Sequence, residues 1–129
     1  MSPNRARLRD LDRVRHLVEA ADWIADEVEN LTLPALLQDR KSQLSLERQF
    51  EIIGEAASHI SEALQQQWLQ ISWRQMKGYR NFIAHEYFRP DYTQLLYTAQ
   101  QMLVPALPEL HQLLTQLEQA DSSGPDAGV

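Results

Sequence analysis

The chain of 129 residues contains no cysteine. Disulfide bonds, thiolate nucleophiles and thiolate metal sites are therefore excluded, and a reducing cytoplasm is the compartment that we expect. No apolar run approaches the roughly 20 residues needed to span a bilayer, and the first residues lack the apolar stretch of a signal peptide. We therefore expect a cytoplasmic protein that makes no membrane contact.

Glycine is scarce as well, with only four residues, and the chain length suits one domain of ordinary size. A multidomain enzyme is excluded. We predict a single domain over residues 1–119. Residues 120–129 are predicted to be a disordered tail, because they are polar and have no apolar surface to bury.

Positive charge is in short supply, since 12 Lys and Arg stand against 18 Asp and Glu, for a net charge of -6. This balance argues against unselective binding to nucleic acid or to an anionic membrane. The distribution is uneven, however, because residues 72–92 carry four basic and two acidic residues. Any contact with nucleic acid should use this basic segment, whose candidate RNA-binding residues besides Arg80 are Arg74, Lys77 and Arg89.

Apolar residues recur at steps of three and four in three stretches, and nothing alternates with a period of two. This spacing is typical of amphipathic helices. It predicts long helices near 8–30, 43–66 and 92–119 in an all-α fold, an antiparallel bundle of four to five helices. The three stripes are Leu11, Val14, Val18, Ala21, Ala25 and Val28; Leu46, Phe50, Ile53, Ala57, Ile60 and Leu64; and Leu96, Ala99, Leu103, Ala106, Leu110, Leu113 and Leu117.

Capping residues and prolines mark the shorter elements. Thr32 and Pro34 indicate the start of a short helix near 33–39, because proline is tolerated in a first turn. Ser72 followed by Gln75 is typical of a capping box that opens a helix at Trp73, and Asp91 can open the last helix in the same way. Two prolines within the last stripe, at positions 105 and 108, predict a kink or a break there.

The chemically most versatile side chains lie within residues 79–88, where Arg80, Asn81, His85 and Tyr87 occur together. His85 titrates near neutral pH and can act as a general base toward a ribose 2′-OH. Arg80 keeps its charge and can stabilise a phosphoryl transition state with two N–H groups. Asn81 can orient the imidazole or the phosphate, and Tyr87 offers a phenolic hydroxyl. The set suits cleavage of RNA without a metal ion.

A purely structural interpretation also fits the spacing. An Arg and a His near the end of a helix are favoured by its dipole, and His85 would then cap carbonyls while Arg80 pairs with an acid such as Glu55. Gly54 would allow a close approach of another helix and leave Glu55 beside Arg80 as a supporting residue. A carboxylate metal site at Glu51 and Glu55 lacks the Glu-x-x-His spacing of di-metal bundles, so we expect no metal.

The sequence resembles the HepT-like HEPN proteins, the toxin halves of bacterial HepT–MntA toxin–antitoxin pairs. Their motif is an Arg, four residues, a His, one residue and a Tyr, with an Asn usually following the Arg. Arg80, Asn81, His85 and Tyr87 match it. The resemblance covers roughly residues 8–118. It includes Glu47-Arg48-Gln49-Phe50-Glu51-Ile52-Ile53-Gly54-Glu55-Ala56-Ala57, Ile71-Ser72-Trp73-Arg74-Gln75-Met76-Lys77-Gly78, Tyr87-Phe88 and Asp91-Tyr92.

The resemblance implies a homodimeric helical bundle in which two motifs face one cleft. It implies a metal-independent ribonuclease of a type VII toxin–antitoxin system that acts on mRNA or tRNA, with Arg80 and His85 as catalytic residues and Asn81 in support. The partner would be a minimal, MntA-like nucleotidyltransferase antitoxin that spends ATP to place AMP on Tyr87, while the toxin itself needs no cofactor. The alternative is a bundle without catalytic activity that binds a nucleotidyltransferase or a nucleotide as its regulatory subunit.

Overall fold

The computed structural model describes residues 3–81 and 91–122, and every regular element in these two ranges is helical. The all-α prediction is therefore confirmed. Seven α-helices and one π-helical turn occur within the described residues. They are α1 (Pro3–Val28), α2 (Leu33–Leu37), α3 (Arg40–Ser58), α4 (Glu62–Gln67), α5 (Trp73–Gly78), α6 (Tyr92–Thr98), the π turn (Ala99–Leu103) and α7 (Val104–Ser122).

The first helix is the centre of the bundle. Helix α1 packs most extensively against α3 and next against α7. Residue pairs show that both neighbours run antiparallel to it, because Trp23 contacts Ser45 while Asp10 contacts Ser61. On the other side, Arg15 contacts Glu118 far along α7. None of the helices in the described residues combines the length and the apolarity needed to cross a bilayer.

The predicted apolar stripes form the core. Every member of the second stripe is buried, and Ala25, Ala106 and Leu117 are the only members of the other two that remain partly exposed. Helix α1 buries a wider face than its stripe predicts, since Leu17, Ala20 and Ile24 are buried as well. The reason is its position between α3 and α7, because a helix with two neighbours must cover two sides with apolar residues.

The prediction of one helix over 43–66 is wrong. Helix α3 ends at Ser58 and α4 begins at Glu62, with Ser61 as the N-cap of α4. The nearly buried carboxylate of Asp10 accepts hydrogen bonds from the Ser61 backbone N–H at 2.8 Å and from its hydroxyl at 2.5 Å. The Ser61 hydroxyl in turn accepts from the Leu64 N–H. These contacts satisfy backbone groups that a continuous helix would have used differently.

The predicted helix starts are confirmed at Thr32 and Asp91, whose side chains accept from the N–H groups three residues later. Helix α5 begins at Trp73 as predicted, but the Ser72 side chain makes no capping hydrogen bond. The last helical stretch starts as α6 and passes through the π turn just before Pro105. It then continues to Ser122, three residues beyond the predicted end, and residues 123–129 lie outside the described residues.

Candidate active site

Tyr79 anchors the start of residues 79–88, the predicted catalytic segment, in the core. Its side chain is only 2 % exposed, and its ring meets the ring of Phe50 on α3 edge to face, with centroids 5.0 Å apart. Burial raises the pKa of the Tyr79 hydroxyl to about 12, since the phenolate form would be poorly solvated there. Because Tyr79 is fixed in this way, the backbone of the next residue, Arg80, is placed against α3.

Gly54 lies one helical turn after Phe50 and is the point of closest approach between α3 and Arg80. A Cβ atom at Gly54 would lie 2.7 Å from the Arg80 backbone nitrogen, and it would also collide with Cγ of the Arg80 side chain. Any residue larger than glycine must therefore push Arg80 away from α3. The predicted close approach at Gly54 is confirmed, although the contact is made by the residues that follow α5 and not by a long helix.

The Arg80 side chain runs along α3 from Gly54 toward Ser58. Its Nη1 donates to the Ser58 hydroxyl at 3.0 Å, and this hydroxyl donates in turn to the carbonyl of Gly54 at 2.7 Å. The same Nη1 lies 3.9 Å from Oε2 of Glu55, so the predicted proximity of Glu55 and Arg80 is confirmed. These contacts hold Arg80 in place while 48 % of its side chain is exposed.

Sequence reasoning gave no role to Ser58 or to His59. Nδ1 of His59 lies 2.9 Å from the backbone oxygen of Glu55 and 3.6 Å from its Oε1 atom. The available signal was the spacing, because Ser58 follows Gly54 by four residues and His59 follows Glu55 by four, which places each pair on one face of α3. The structure therefore adds two side chains to the surroundings of Arg80.

The other predicted site residues divide into two groups. Asn81 follows Arg80 directly and is exposed, and Arg74 is exposed on α5 one helical turn before Lys77. Lys77 is partly exposed and donates from Nζ to Oε1 of Gln65 at 2.9 Å. The remaining three predicted site residues lie outside the described residues; they are His85, Tyr87 and Arg89.

Helix α3 also contacts Tyr92, the first residue of α6. The hydroxyl of Tyr92 donates to Oε2 of Glu47 at 2.6 Å and accepts from Nη1 of Arg40 at 3.2 Å. Arg40 and Glu47 lie 3.9 Å apart. Burial, followed by the adjacent Glu47 carboxylate, raises the pKa of Tyr92, and Arg40 opposes this effect. Tyr79 and Tyr92 thus both contact side chains of α3.

Glu51, the second carboxylate considered for a metal site, points to a different partner. Its Oε1 atom accepts from Nη1 of Arg48 at 2.8 Å. In the described part of the chain, no group of three His, Asp or Glu side chains converges in a way that could hold a metal ion. The chemistry available around α3 is therefore that of a fixed guanidinium with hydroxyl, carboxylate and imidazole neighbours.

A guanidinium in this setting is suited to bind a phosphate group. Ser58 and Glu55 both approach one nitrogen, Nη1, and none of the residues in 3–81 and 91–122 engages the other donors of the planar group, which are suited to an external anion. Glu55 is 57 % exposed and its carboxylate lies 3.9 Å from Nη1, beyond hydrogen-bonding distance, so a phosphate can take its place without leaving a buried charge unpaired. Asn81, beside Arg80, adds a further amide.

Comparison with known proteins identifies the family. The family described as "Ribonuclease HepT-like" matches residues 17–117, which include most of the bundle and the whole of the predicted catalytic segment. The chain belongs to the HepT-like ribonuclease family. The resemblance inferred from Arg80, Asn81, His85 and Tyr87 is thereby confirmed, and HepT-like membership supports a ribonuclease function for the chain.

Individual relatives are distant in sequence, but the alignments cover most of each relative's length. A "Probable ribonuclease HepT" of Thermococcus cleftensis is 31% identical over 62% of this chain and 73% of the relative. A candidate RNase of Caldanaerobacter subterraneus subsp. tengcongensis is 21% identical over 84% of this chain and 93% of the relative. No solved structure gives a significant match. The arrangement of Gly54, Ser58 and Arg80 is therefore described from this chain alone.

Proposed function

We propose that the chain is the toxin of a type VII toxin–antitoxin system, a metal-independent endoribonuclease. His85 removes the proton from a ribose 2′-OH, and the freed oxygen attacks the adjacent phosphorus. The P–O5′ bond then breaks, and the leaving 5′-oxygen takes a proton from water, so that one fragment carries a cyclic phosphate and the other a 5′-hydroxyl. Arg80 stabilises the negative charge that accumulates on the phosphoryl oxygens, and Asn81 orients the phosphate or the imidazole.

The single observation that carries this proposal is the placement of Arg80. Its guanidinium is fixed by Ser58 and by the close packing at Gly54, yet half of the side chain is open to solvent. A donor that is oriented in advance stabilises a transition state without having to reorganise during the reaction. Membership of a ribonuclease family supports the assignment of RNA as the substrate, and the basic residues Arg74, Lys77 and Arg89 are proposed to contact its backbone.

The proposal includes a second copy of the chain and an inhibitory partner. Two copies would bring two Arg80 sites to one cleft. An MntA-like nucleotidyltransferase antitoxin would use ATP to attach AMP to the Tyr87 hydroxyl and release pyrophosphate. The attached group adds bulk and a phosphate charge seven residues from Arg80, so it would compete with RNA for the same guanidinium.

The decisive experiment is an RNA cleavage assay in EDTA. Purified protein is incubated with total RNA, and the fragments are compared with those left by His85→Ala. We expect cleavage by the natural sequence and none by the variant, with both proteins showing the same thermal unfolding. If neither protein cleaves and both bind a nucleotidyltransferase tightly, the chain is instead a regulatory subunit without catalytic activity.

The modification is tested by intact mass. After co-expression with a nucleotidyltransferase partner, the mass should rise by whole adenylyl units. Tyr87→Phe should abolish this rise, because it removes only the acceptor oxygen. A mass shift that survives in Tyr87→Phe would assign the modification to another residue.

A further inference from the structure

A surface depression lies between α4 and α5, next to the predicted catalytic segment. Its floor is apolar and is formed by Ile71 and Trp73, which are both buried. The Trp73 indole N–H donates to the Trp68 carbonyl at 2.9 Å, which fixes this floor. The rim is polar and consists of Gln65, Gln66, Ser72, Arg74, Gln75 and Lys77, together with Leu69.

The charge of this rim is unlike that of the chain as a whole. Of the described residues that line the depression, two are basic and none is acidic, although the net charge of the protein is -6. Among the described residues, Arg74 has no side-chain hydrogen bond or ion pair. The Lys77 ammonium group donates to the side chain of Gln65, and Gln65 donates in turn to the Ile60 carbonyl at 3.0 Å. These hydrogen bonds place the ammonium group at the edge of the depression. The depression therefore favours an anionic ligand.

Leu69 gives the same depression an apolar contact surface. Its side chain is 70 % exposed, more than any other large hydrophobic side chain in the described residues. The exposed side chain of Gln66 lines the same depression, and its amide can both donate and accept hydrogen bonds. These apolar, amide and basic groups suit a ligand that has a flat ring with polar edges and a neighbouring phosphate. A nucleotide of single-stranded RNA is such a ligand.

We propose that the depression between α4 and α5 binds a nucleotide of the RNA next to the cleaved phosphate. Arg74 and Lys77 contact its phosphate, while Leu69 and Gln66 contact its base. Lys77, at the edge of the depression, precedes Arg80 by three residues, so the depression and the Arg80 site are neighbours along the chain. This inference rests on the proposed ribonuclease function for its choice of ligand, but its test does not require cleavage.

The test uses a fluorescent single-stranded RNA of twelve nucleotides in which every ribose is 2′-O-methylated, so that no 2′-OH can attack. Its dissociation constant is measured by fluorescence anisotropy between 50 and 200 mM salt with the full chain. Two charge variants are compared, Arg74→Gln and the control Lys41→Gln. Lys41 is exposed at the far end of α3, and both changes remove one positive charge.

We expect Arg74→Gln to weaken binding about fivefold near 100 mM salt and to reduce the slope of log K against log salt by roughly 0.7, as loss of one contact to a single strand should do. Lys41→Gln should leave the slope unchanged. For the apolar contact, Leu69→Ala should weaken binding about threefold with an unchanged slope, since no counterion is involved. The control Leu44→Ala, also at an exposed leucine, should bind as the natural sequence does.

Equal binding by Arg74→Gln and Lys41→Gln, together with equal binding by Leu69→Ala and Leu44→Ala, would overturn the proposal. If Leu69→Ala changed only the oligomeric state in size-exclusion chromatography, the depression would be a protein interface and the proposal would be wrong. The ribonuclease function is judged separately in the EDTA assay. A chain that binds the probe as expected but does not cleave RNA keeps this site and loses that function.

Discussion

Two arginine–glutamate pairs, each with its glutamate on α3, have the same separation and different surroundings. Arg80 and Glu55 lie 3.9 Å apart, and so do Arg40 and Glu47. A hydroxyl accompanies each pair, from Ser58 in the first and from Tyr92 in the second. The glutamates differ most, because Glu55 is 57 % exposed whereas Glu47 is 15 % exposed. Distance alone therefore does not separate a pair that builds the fold from one that is open to a ligand.

The difference shows how one helix serves both purposes. At Glu47 the donors and acceptors satisfy one another, since the Tyr92 hydroxyl both donates to the carboxylate and accepts from Arg40. At Glu55 the hydrogen bond and the ion pair that Arg80 makes with other described residues both involve Nη1, and 48 % of the Arg80 side chain is exposed. We infer that the Arg40–Glu47 pair stabilises the fold and that the Arg80–Glu55 pair prepares an anion site.

The largest expected effect is a difference in RNA cleavage between variants of Arg80 and Arg40. Arg80→Ala should lower RNA cleavage by about 100-fold or more, because the transition state loses its charged donor. Arg40→Ala should leave the cleavage rate within about twofold and lower the free energy of unfolding by about 1 kcal/mol, through its lost hydrogen bonds. The rates are measured with excess enzyme under single-turnover conditions. Equal loss of activity in both variants would contradict the distinction.

The next effect concerns the packing that places Arg80. Gly54→Ala should lower the free energy of unfolding by about 1 to 3 kcal/mol, since the new methyl group must displace Arg80. Cleavage should fall with it. Gly78→Ala is the matched control, because a Cβ there meets nothing within 4 Å, and its helical setting should make it neutral or stabilising by up to about 1 kcal/mol. Urea denaturation of both variants checks this, and equal stability would remove the close-approach argument.

The two hydroxyls offer a third contrast. Tyr92→Phe should cost about 1.5 to 3 kcal/mol of stability, because Glu47 loses a hydrogen bond to a largely buried carboxylate. Ser58→Ala should cost less than about 1 kcal/mol, since Arg80 is half exposed, but it should slow cleavage by freeing the guanidinium. Stability and rate are measured on both proteins. A loss of rate in Tyr92→Phe that exceeds the loss in Ser58→Ala would reverse the assignment.

The pH dependence tests how firmly Tyr79 anchors the Arg80 side. The folded pKa of about 12 lies above the usual value near 10, so the unfolded chain loses its proton first and stability falls as the pH rises above 10. At pH 11 the loss from this group should be about 1.4 kcal/mol. Tyr79→Phe should lack this part of the decline. Urea titrations at pH 9 and pH 11 give the difference, and parallel declines would contradict the anchoring role.

The smallest effect is expected at Glu55. Glu55→Ala should change the free energy of unfolding by less than about 0.5 kcal/mol, because an exposed pair contributes little. Cleavage should nevertheless fall severalfold, since Arg80 loses one of the groups that orient it. Unchanged stability and unchanged cleavage together would remove Glu55 from the site.

The sequence predicted the helical class, the buried stripes and the caps at Thr32 and Asp91, because these depend on spacing along one helix. It did not predict the break after Ser58. That break depends on the Asp10 carboxylate, which lies 51 residues before Ser61 in the chain. It also gave Ser58 no role, because the partner that gives Ser58 a role, Arg80, is 22 residues away.

The sequence by itself determined which residues can carry the chemistry, since Arg80, Asn81, His85 and Tyr87 are close together in the chain and their side-chain types define what they can do. The tertiary structure decided how Arg80 is presented. Gly54 lets its backbone approach α3, Tyr79 fixes that backbone in the core, and Ser58 orients the guanidinium. The physical reason is that periodicity reports which face of a helix is buried. Only packing between distant segments brings particular polar atoms within 3 to 4 Å of each other.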